Sequence, residues 1–193
     1  MNKKSLLKII FVFIFCMLCA TLYAQSKEMA ALSSRPDIDI TQLERNIHSL
    51  LNLERKKRGL SSLLWDESLH EVARQHSQAM VDLNFFSHND PDGSDFRDRY
   101  KSGGIECKIL INDIAYMGAE NISQDNLYSS YVYKNGERFF NWNTESEIAE
   151  SVVKRRMSSK AHRVNILTPY FKRQGIGVAF SDDGKIYVTE NFC

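Results

Sequence analysis

The chain has 193 residues, 43% of them hydrophobic and 25% charged, with 25 basic and 24 acidic side chains. That near balance leaves no electrostatic footprint for nucleic acid. The length suits one domain with a full core rather than an array of small ones.

Lys3, Lys4 and Lys8 precede an uncharged, mostly apolar run from Ile9 to Leu22, and Tyr23-Ala24 then leads into polar sequence. This order predicts a secretory leader over residues 1–24, cleaved after Ala24. The run is short for a membrane span of about 20 residues, so membrane contact is expected only through the leader if it stays uncleaved. Met17-Leu18 stand where a lipoprotein signal at Cys19 would want small residues. Removing the three leader lysines takes the 25 basic residues to 22 against 24 acidic, net −2. Cys107 and Cys193 then remain, and in an exported chain they most simply form one disulfide. It would close a loop of about 86 residues, worth up to roughly 4–5 kcal/mol by chain entropy. The alternative is two buried free thiols.

Residues 25–40 read as a linker or leading arm, and the domain proper as 41–193. Thr41-Gln42-Leu43-Glu44 has the pattern of a capping box opening a helix whose apolar positions are Leu43, Ile47, Leu50 and Leu51. Gly59 ends it, after the basic run Arg55-Lys56-Lys57-Arg58, which suits the negative end of a helix dipole. Asp66 caps a second, strongly amphipathic helix with Leu69, Val72, Ala73, His76, Met80 and Leu83 on one face. His76 is expected as a core histidine bonded to a backbone carbonyl, and His48 and His70 as surface residues.

Asn89-Asp90-Pro91-Asp92-Gly93 is turn chemistry, and Phe96, Arg97 and Tyr100 suggest a short helix closed by Gly103-Gly104. A short strand is expected to end at Gly118. Asn135-Gly136, between Tyr131-Val132-Tyr133 and Arg138-Phe139-Phe140, marks a hairpin inserted over about 127–142. Its aromatic residues are expected to pack over the sheet, with a ligand or partner surface as the alternative. Thr144-Glu145-Ser146-Glu147 is another capping box, followed by a helix, a loop through His162, and a closing hairpin from Gly175 to Phe192. Helices first and between, with hairpins closing the chain, predict an α+β fold with a mainly antiparallel sheet.

The residues with chemistry sit in Phe85-Phe86-Ser87-His88, Gly118-Ala119-Glu120-Asn121 and His162-Arg163-Val164-Asn165. His88, Glu120 and His162 are the candidate catalytic residues. Two imidazoles and a carboxylate would suit zinc or another divalent ion with a position left open for water. No paired His-Glu-x-x-His motif and no Gly-x-Ser-x-Gly nucleophile elbow is present.

The three stretches recur among ordered motifs from Leu50 to Cys193. They include Leu64-Trp65-Asp66, His76-Ser77-Gln78-Ala79-Met80, Gly175-Ile176-Gly177-Val178-Ala179 and Tyr187-Val188-Thr189-Glu190-Asn191-Phe192. In this set the chain resembles the CAP superfamily of cysteine-rich secretory, antigen-five and pathogenesis-related (SCP-like) proteins, in its bacterial branch. The resemblance implies a three-layer α–β–α sandwich and a secreted, extracellular or periplasmic location. It also implies a central cleft in which His88, Glu120 and His162 match three of four metal-capable positions. Ser159 falls where the fourth, a glutamate, is expected, Arg156 where an aromatic is common, and Glu190 is a substitute carboxylate. The cleft is read as lined by His88, Glu120, His162, Ser159 and Asn121. The function implied is a non-enzymatic binding module for a lipid, a cell-envelope component or a protein. The alternatives are a metal-dependent hydrolase and a structural envelope protein.

Overall fold

The computed structural model describes residues 35–193 together with residues 17, 19 and 21. Most of the expected leader and of the expected arm lies outside the described residues. By internal contacts the chain divides into a body, residues 37–127 and 143–193, and a second unit that contains residues 128–142.

The body begins with α1 (Ile40–Lys56), β1 (Leu64–Trp65), α2 (Glu67–Asp82) and α3 (Phe96–Ser102). A small hairpin of β2 (Ile109–Ile111) and β3 (Ile114–Tyr116) precedes β4 (Ala119–Asn126). In the second unit β5 (Tyr128–Lys134) pairs antiparallel with β6 (Glu137–Trp142) across Asn135-Gly136. The body resumes with α4 (Glu145–Ser158), α5 (Lys160–Ile166), β7 (Arg173–Phe180) and β8 (Lys185–Phe192).

The central sheet has the order β1-β7-β8-β4. Both long pairings are antiparallel, and only the two-residue β1 runs parallel, beside β7. Helices cover both sheet faces. On one, Ser77 of α2 bonds Thr189 at 2.9 Å. On the other, His48 of α1 bonds Gln174 and Arg156 of α4 bonds Glu190. This is the α–β–α sandwich that the motifs imply.

Two glycines decide how closely α2 lies on the sheet. A Cβ on Gly175 would fall 2.0 Å from the backbone nitrogen of His70, and one on Gly177 would fall 2.0 Å from that of Arg74. The helix backbone therefore rests directly on β7, and the larger neighbours Leu69, Val72 and Met80 pack around that contact.

Several local expectations hold. Asp66 caps α2 through the Leu69 amide, Thr144 and Glu147 form their capping box, and Gly103 caps α3. The Cys107–Cys193 disulfide is present, with Cα atoms 5.6 Å apart, and packs with Leu69, Val72 and Tyr100.

Others are corrected. The cap of α1 is Asp39, which accepts from the Gln42 amide, and no capping box forms at Thr41. Glu44 turns inward instead. It pairs with Arg74 at 2.5 Å and accepts from the Val178 amide on the open edge of β7, so a sheet-edge donor outcompetes the helix end. Arg55 is not a solvated member of a basic run. It is buried and donates to the carbonyls of Ser61, Ile166 and Thr168, holding the C-terminus of α5. The short strand expected to end at Gly118 ends at Tyr116, and a longer one begins just after the glycine. Gly118 has φ +92°, and a Cβ there would meet the Phe192 carbonyl at 2.4 Å, which is where β4 joins β8.

His48 and His70 are half-buried rather than surface residues. His70 Nδ1 donates to the Ile176 carbonyl at 2.7 Å, again at the β7 edge. His162 lies on a helix, α5, because Ser159 leaves helical geometry (ψ 123°) and restarts the chain in a new direction.

Replacing Gly177 with Ala must push α2 off the sheet. Overpacking of this kind costs about 1–3 kcal/mol, and contact with rigid backbone favours the upper end. The urea midpoint of Gly177→Ala should fall accordingly, and an unchanged midpoint would refute the close contact.

Candidate functional site

The site is built on β4, where neighbouring side chains point to opposite faces of the sheet. Glu120 stands opposite Asn191, and Asn121 opposite Glu190. Glu120 therefore faces the α2 side, and Asn121 and Glu190 face the α1–α4 side.

On the α2 side the Glu120 carboxylate is buried and fully engaged. Its Oε1 accepts from His88 Nδ1 at 2.8 Å and its Oε2 from Arg99 Nη2 at 2.7 Å. Arg99, on α3, also donates to Asp90 Oδ2 at 3.0 Å and to the His88 carbonyl at 3.1 Å. Asp90 Oδ1 in turn lies 2.9 Å from His76 Nδ1, and His76 Nε2 lies 3.1 Å from the Ser87 carbonyl. The loop that presents His88 is thus tied down from beneath by α2, α3 and β4. His76 is the buried, carbonyl-bonded histidine that its helix face predicts, with Asp90 as an added partner. A carboxylate only accepts hydrogen bonds, so His88 Nδ1 carries a hydrogen and its Nε2 is left outward. The His88 side chain is 52% exposed, that of Glu120 1%. They line a cleft of about 380 Å³ with Asn89, Asp95, Phe96 and Asn165.

The remaining expected site residues lie on β4 and around α5. His162 is half-buried on α5. Its imidazole is held below its ordinary value, first by burial and then by the positive charges of Arg156 and His88. Asn121 Nδ2 donates to the His162 carbonyl at 3.3 Å and to Glu190 at 3.0 Å, beneath the sheet. Ser159 is the junction between α4 and α5, and its side chain makes no cap bond there.

Glu190 and Arg156 form a fully buried pair at 2.9 Å. Burial raises the Glu190 carboxyl and lowers the Arg156 guanidinium from their ordinary values. A chain of bonds extends from the pair. Gln174 donates to Glu190, His48 Nδ1 donates to Gln174 at 2.7 Å, and Asn52 donates to His48 Nε2 at 3.1 Å. That last bond needs a neutral ring, and burial likewise lowers the His48 imidazole.

Zinc does not fit this donor set. Both oxygens of Glu120 are bonded, one of them to a guanidinium, and Glu190 is spent on Arg156 across the sheet. Among the described residues no group of three or more His, Cys, Asp and Glu is arranged to hold a metal ion. What the arrangement offers is one oriented imidazole edge on a braced loop. Arg99, Asp90 and Asn165 complete it. Asp90 lay in a segment legible only as a turn, Arg99 carried no sequence signal, and Asn165 stood within the His162 motif.

Because His48 and His162 are depressed in the folded chain, the unfolded chain binds protons more readily. Stability is then present above the ordinary imidazole value of 6.5 and is lost as pH falls below it. The His162 ring should titrate below 6.5 by NMR, and titration above that value would contradict the burial. Removing Arg156 alone strands a buried carboxylate, which costs about 3–5 kcal/mol. Arg156→Met should show such a loss in urea unfolding, whereas a loss below about 1 kcal/mol would mean that the pair contributes little.

Comparison with known proteins agrees with this architecture. The uncharacterized protein YkwD of Bacillus subtilis is 33% identical over 168 residues, 86% of this chain and 53% of that protein. The uncharacterized membrane protein YlbC of the same organism is 30% identical over 152 residues, 79% of this chain and 34% of that protein. The chain thus spans about half the length, or less, of these curated relatives. Among solved structures, an SCP-domain extracellular protein of Bacillus anthracis superposes with TM-score 0.58 at 24% identity, covering 82% of this chain and 44% of that one. An outer surface protein of Borrelia burgdorferi superposes with TM-score 0.58 at 15% identity, covering 82% and 97%. The profile of the cysteine-rich secretory protein family, CAP, matches residues 48–192, nearly the whole body described above, and the chain belongs to that family.

Proposed function

We propose that the chain acts outside the cytoplasm as a binding module that holds a lipid, a cell-envelope component or a protein partner at the His88 cleft, without catalysis. The observation that carries this reading is the state of Glu120. Its two oxygens are spent on His88 and Arg99, so it acts as an anchor for the imidazole rather than as a base or a metal ligand. A general base must reach the proton it abstracts, and this carboxylate is 1% exposed. The half-exposed His88 edge, on a loop fixed by three side chains from beneath it, is the kind of preorganised polar point that orients a ligand in a cleft. Export is supported by the extracellular and surface character of the structural neighbours. It also accords with the finding that no described helix is long and apolar enough to cross a membrane.

The test is a binding panel of phospholipid vesicles, single-chain lipids and peptidoglycan fragments, run beside a peptide-hydrolysis assay and elemental analysis after dialysis against zinc. At least one panel member should bind saturably, and His88→Ala should weaken it about tenfold, roughly 1.4 kcal/mol, while leaving the unfolding midpoint nearly unchanged. Zinc should remain well below one equivalent per chain. Peptide turnover that His88→Ala abolishes, with no saturable binding, would replace the binding module by a hydrolase.

A further inference from the structure

We propose that Cys107 is the sulfur at which a small anionic thiol opens the Cys107–Cys193 disulfide. The product is a mixed disulfide on Cys107, with Cys193 released as a thiolate. The place of attack is a cavity of about 590 Å³ bounded by α3, residues 104–108 and Met117.

Access comes first. The two bridged cysteines are 3% and 7% exposed, so neither is open to a reagent in bulk water. Cys107, however, lines the cavity, whose volume lies within the range of small-molecule sites. Charge at the cavity then selects the reagent. Arg97 and Asp98 line it but are engaged at the start of α3, Arg97 with the Asp95 carboxylate and Asp98 with the Asp95 amide. That leaves the exposed cations Lys101 and Lys108 against one exposed acid, Glu106. The excess positive charge attracts a small anion. Nearby cations also favour the thiolate, the form of a thiol that attacks.

The other sulfur has the surroundings of a leaving group. Arg173 Nη2 lies 3.3 Å from Cys193 Sγ, and its Nη1 is held 2.6 Å from Asp66 Oδ2. The same Nη2 donates to the Glu106 carbonyl at 3.3 Å, so the guanidinium is fixed between the two ends of the bridge. A sulfur atom is a weak acceptor, whereas a thiolate makes a charge-assisted bond. The contact therefore strengthens as the S–S bond breaks, and it favours departure of Cys193 over departure of Cys107.

The exchange balances without an oxidant. The incoming thiolate sulfur bonds to Cys107 Sγ, the Sγ–Sγ bond breaks, and its electron pair leaves on Cys193 Sγ. The negative charge that the reagent brought in ends beside Arg173. The released residue does not drift away. Its carbonyl accepts from the Lys172 and Arg173 amides at 2.7 and 2.8 Å, and its amide donates to the Arg173 carbonyl at 3.0 Å. Cys193 thus stays within reach of the mixed disulfide and can expel the thiol by the reverse step, which makes the modification reversible.

The experiment incubates the oxidised full chain with glutathione, traps freed thiols with iodoacetamide and maps both cysteines by peptide mass. Glutathione should be found on Cys107 and the alkyl group on Cys193. Arg173→Met should slow the release of Cys193 about tenfold, the loss of one charge-assisted bond, and Arg173→Lys should restore part of the rate. The double variant Lys101→Glu, Lys108→Glu should slow glutathione severalfold and leave the neutral thiol β-mercaptoethanol unaffected. Should Arg173→Met fail to fold, the parent's map and the lysine variant still decide. The proposal is overturned if glutathione is found on Cys193, or on both cysteines equally as reaction through global unfolding would give. It is also overturned if no mixed disulfide forms while the chain stays folded, if folded Arg173→Met reacts at the parent's rate, or if the lysine variant slows both thiols alike or neither.

Discussion

The architecture depends on a steric permission: a helix backbone can lie against a strand backbone only where the strand lacks side chains. Gly175 and Gly177 grant it, and α2 settles so close to β7 that a methyl group at either glycine would occupy the place of a helix atom. From that contact follow the positions of His70 and Ser77, which bond the Ile176 and Gly177 carbonyls. His76 follows too, since it is anchored on the same helix and reaches the loop that carries His88. The cleft inherits its geometry from two absent side chains about 100 residues further along the chain.

A second constraint is the alternation of a β-strand. Glu120 and Asn121 are consecutive, yet one joins the cleft network and the other the buried brace around Glu190 and Arg156. The two networks stand back to back across one strand. Arg156 decides what the last-strand carboxylate does here. Once a guanidinium is buried at that position, Glu190 is its natural counterion, since leaving either charge alone in the core is far costlier than pairing them.

Much of this was legible in the sequence, and what was missed has a common cause. Local signals read correctly: the caps at Asp66 and Thr144, the Asn135-Gly136 turn, the closing hairpin and the single disulfide all depend on near neighbours or on simple counting. The errors arose where a distant partner outbid a local one. Glu44 has the spacing of a capping residue but meets an unpaired strand amide 134 positions away. Arg55 looks like a dipole-compensating base and instead serves carbonyls more than 100 positions distant. His48 and His70 sit at polar helical positions but are drawn to β7, through Gln174 and the Ile176 carbonyl. At the site, the motifs marked His88 and Glu120. Nothing in the spacing of Arg99 marked it as the cation that claims the second carboxylate oxygen.

The Cys107–Cys193 bridge encloses β4, the aromatic hairpin, α4, α5 and both strands of the closing hairpin in one covalent ring. A single peptide-bond break anywhere in that ring, for instance at the exposed turn of the 128–142 hairpin, does not release a fragment. The two pieces stay linked through sulfur and remain interleaved through the β4–β8 ladder. Nicking by a protease and inactivation thus become separate events. A clipped molecule would still run at full mass until its disulfide is reduced.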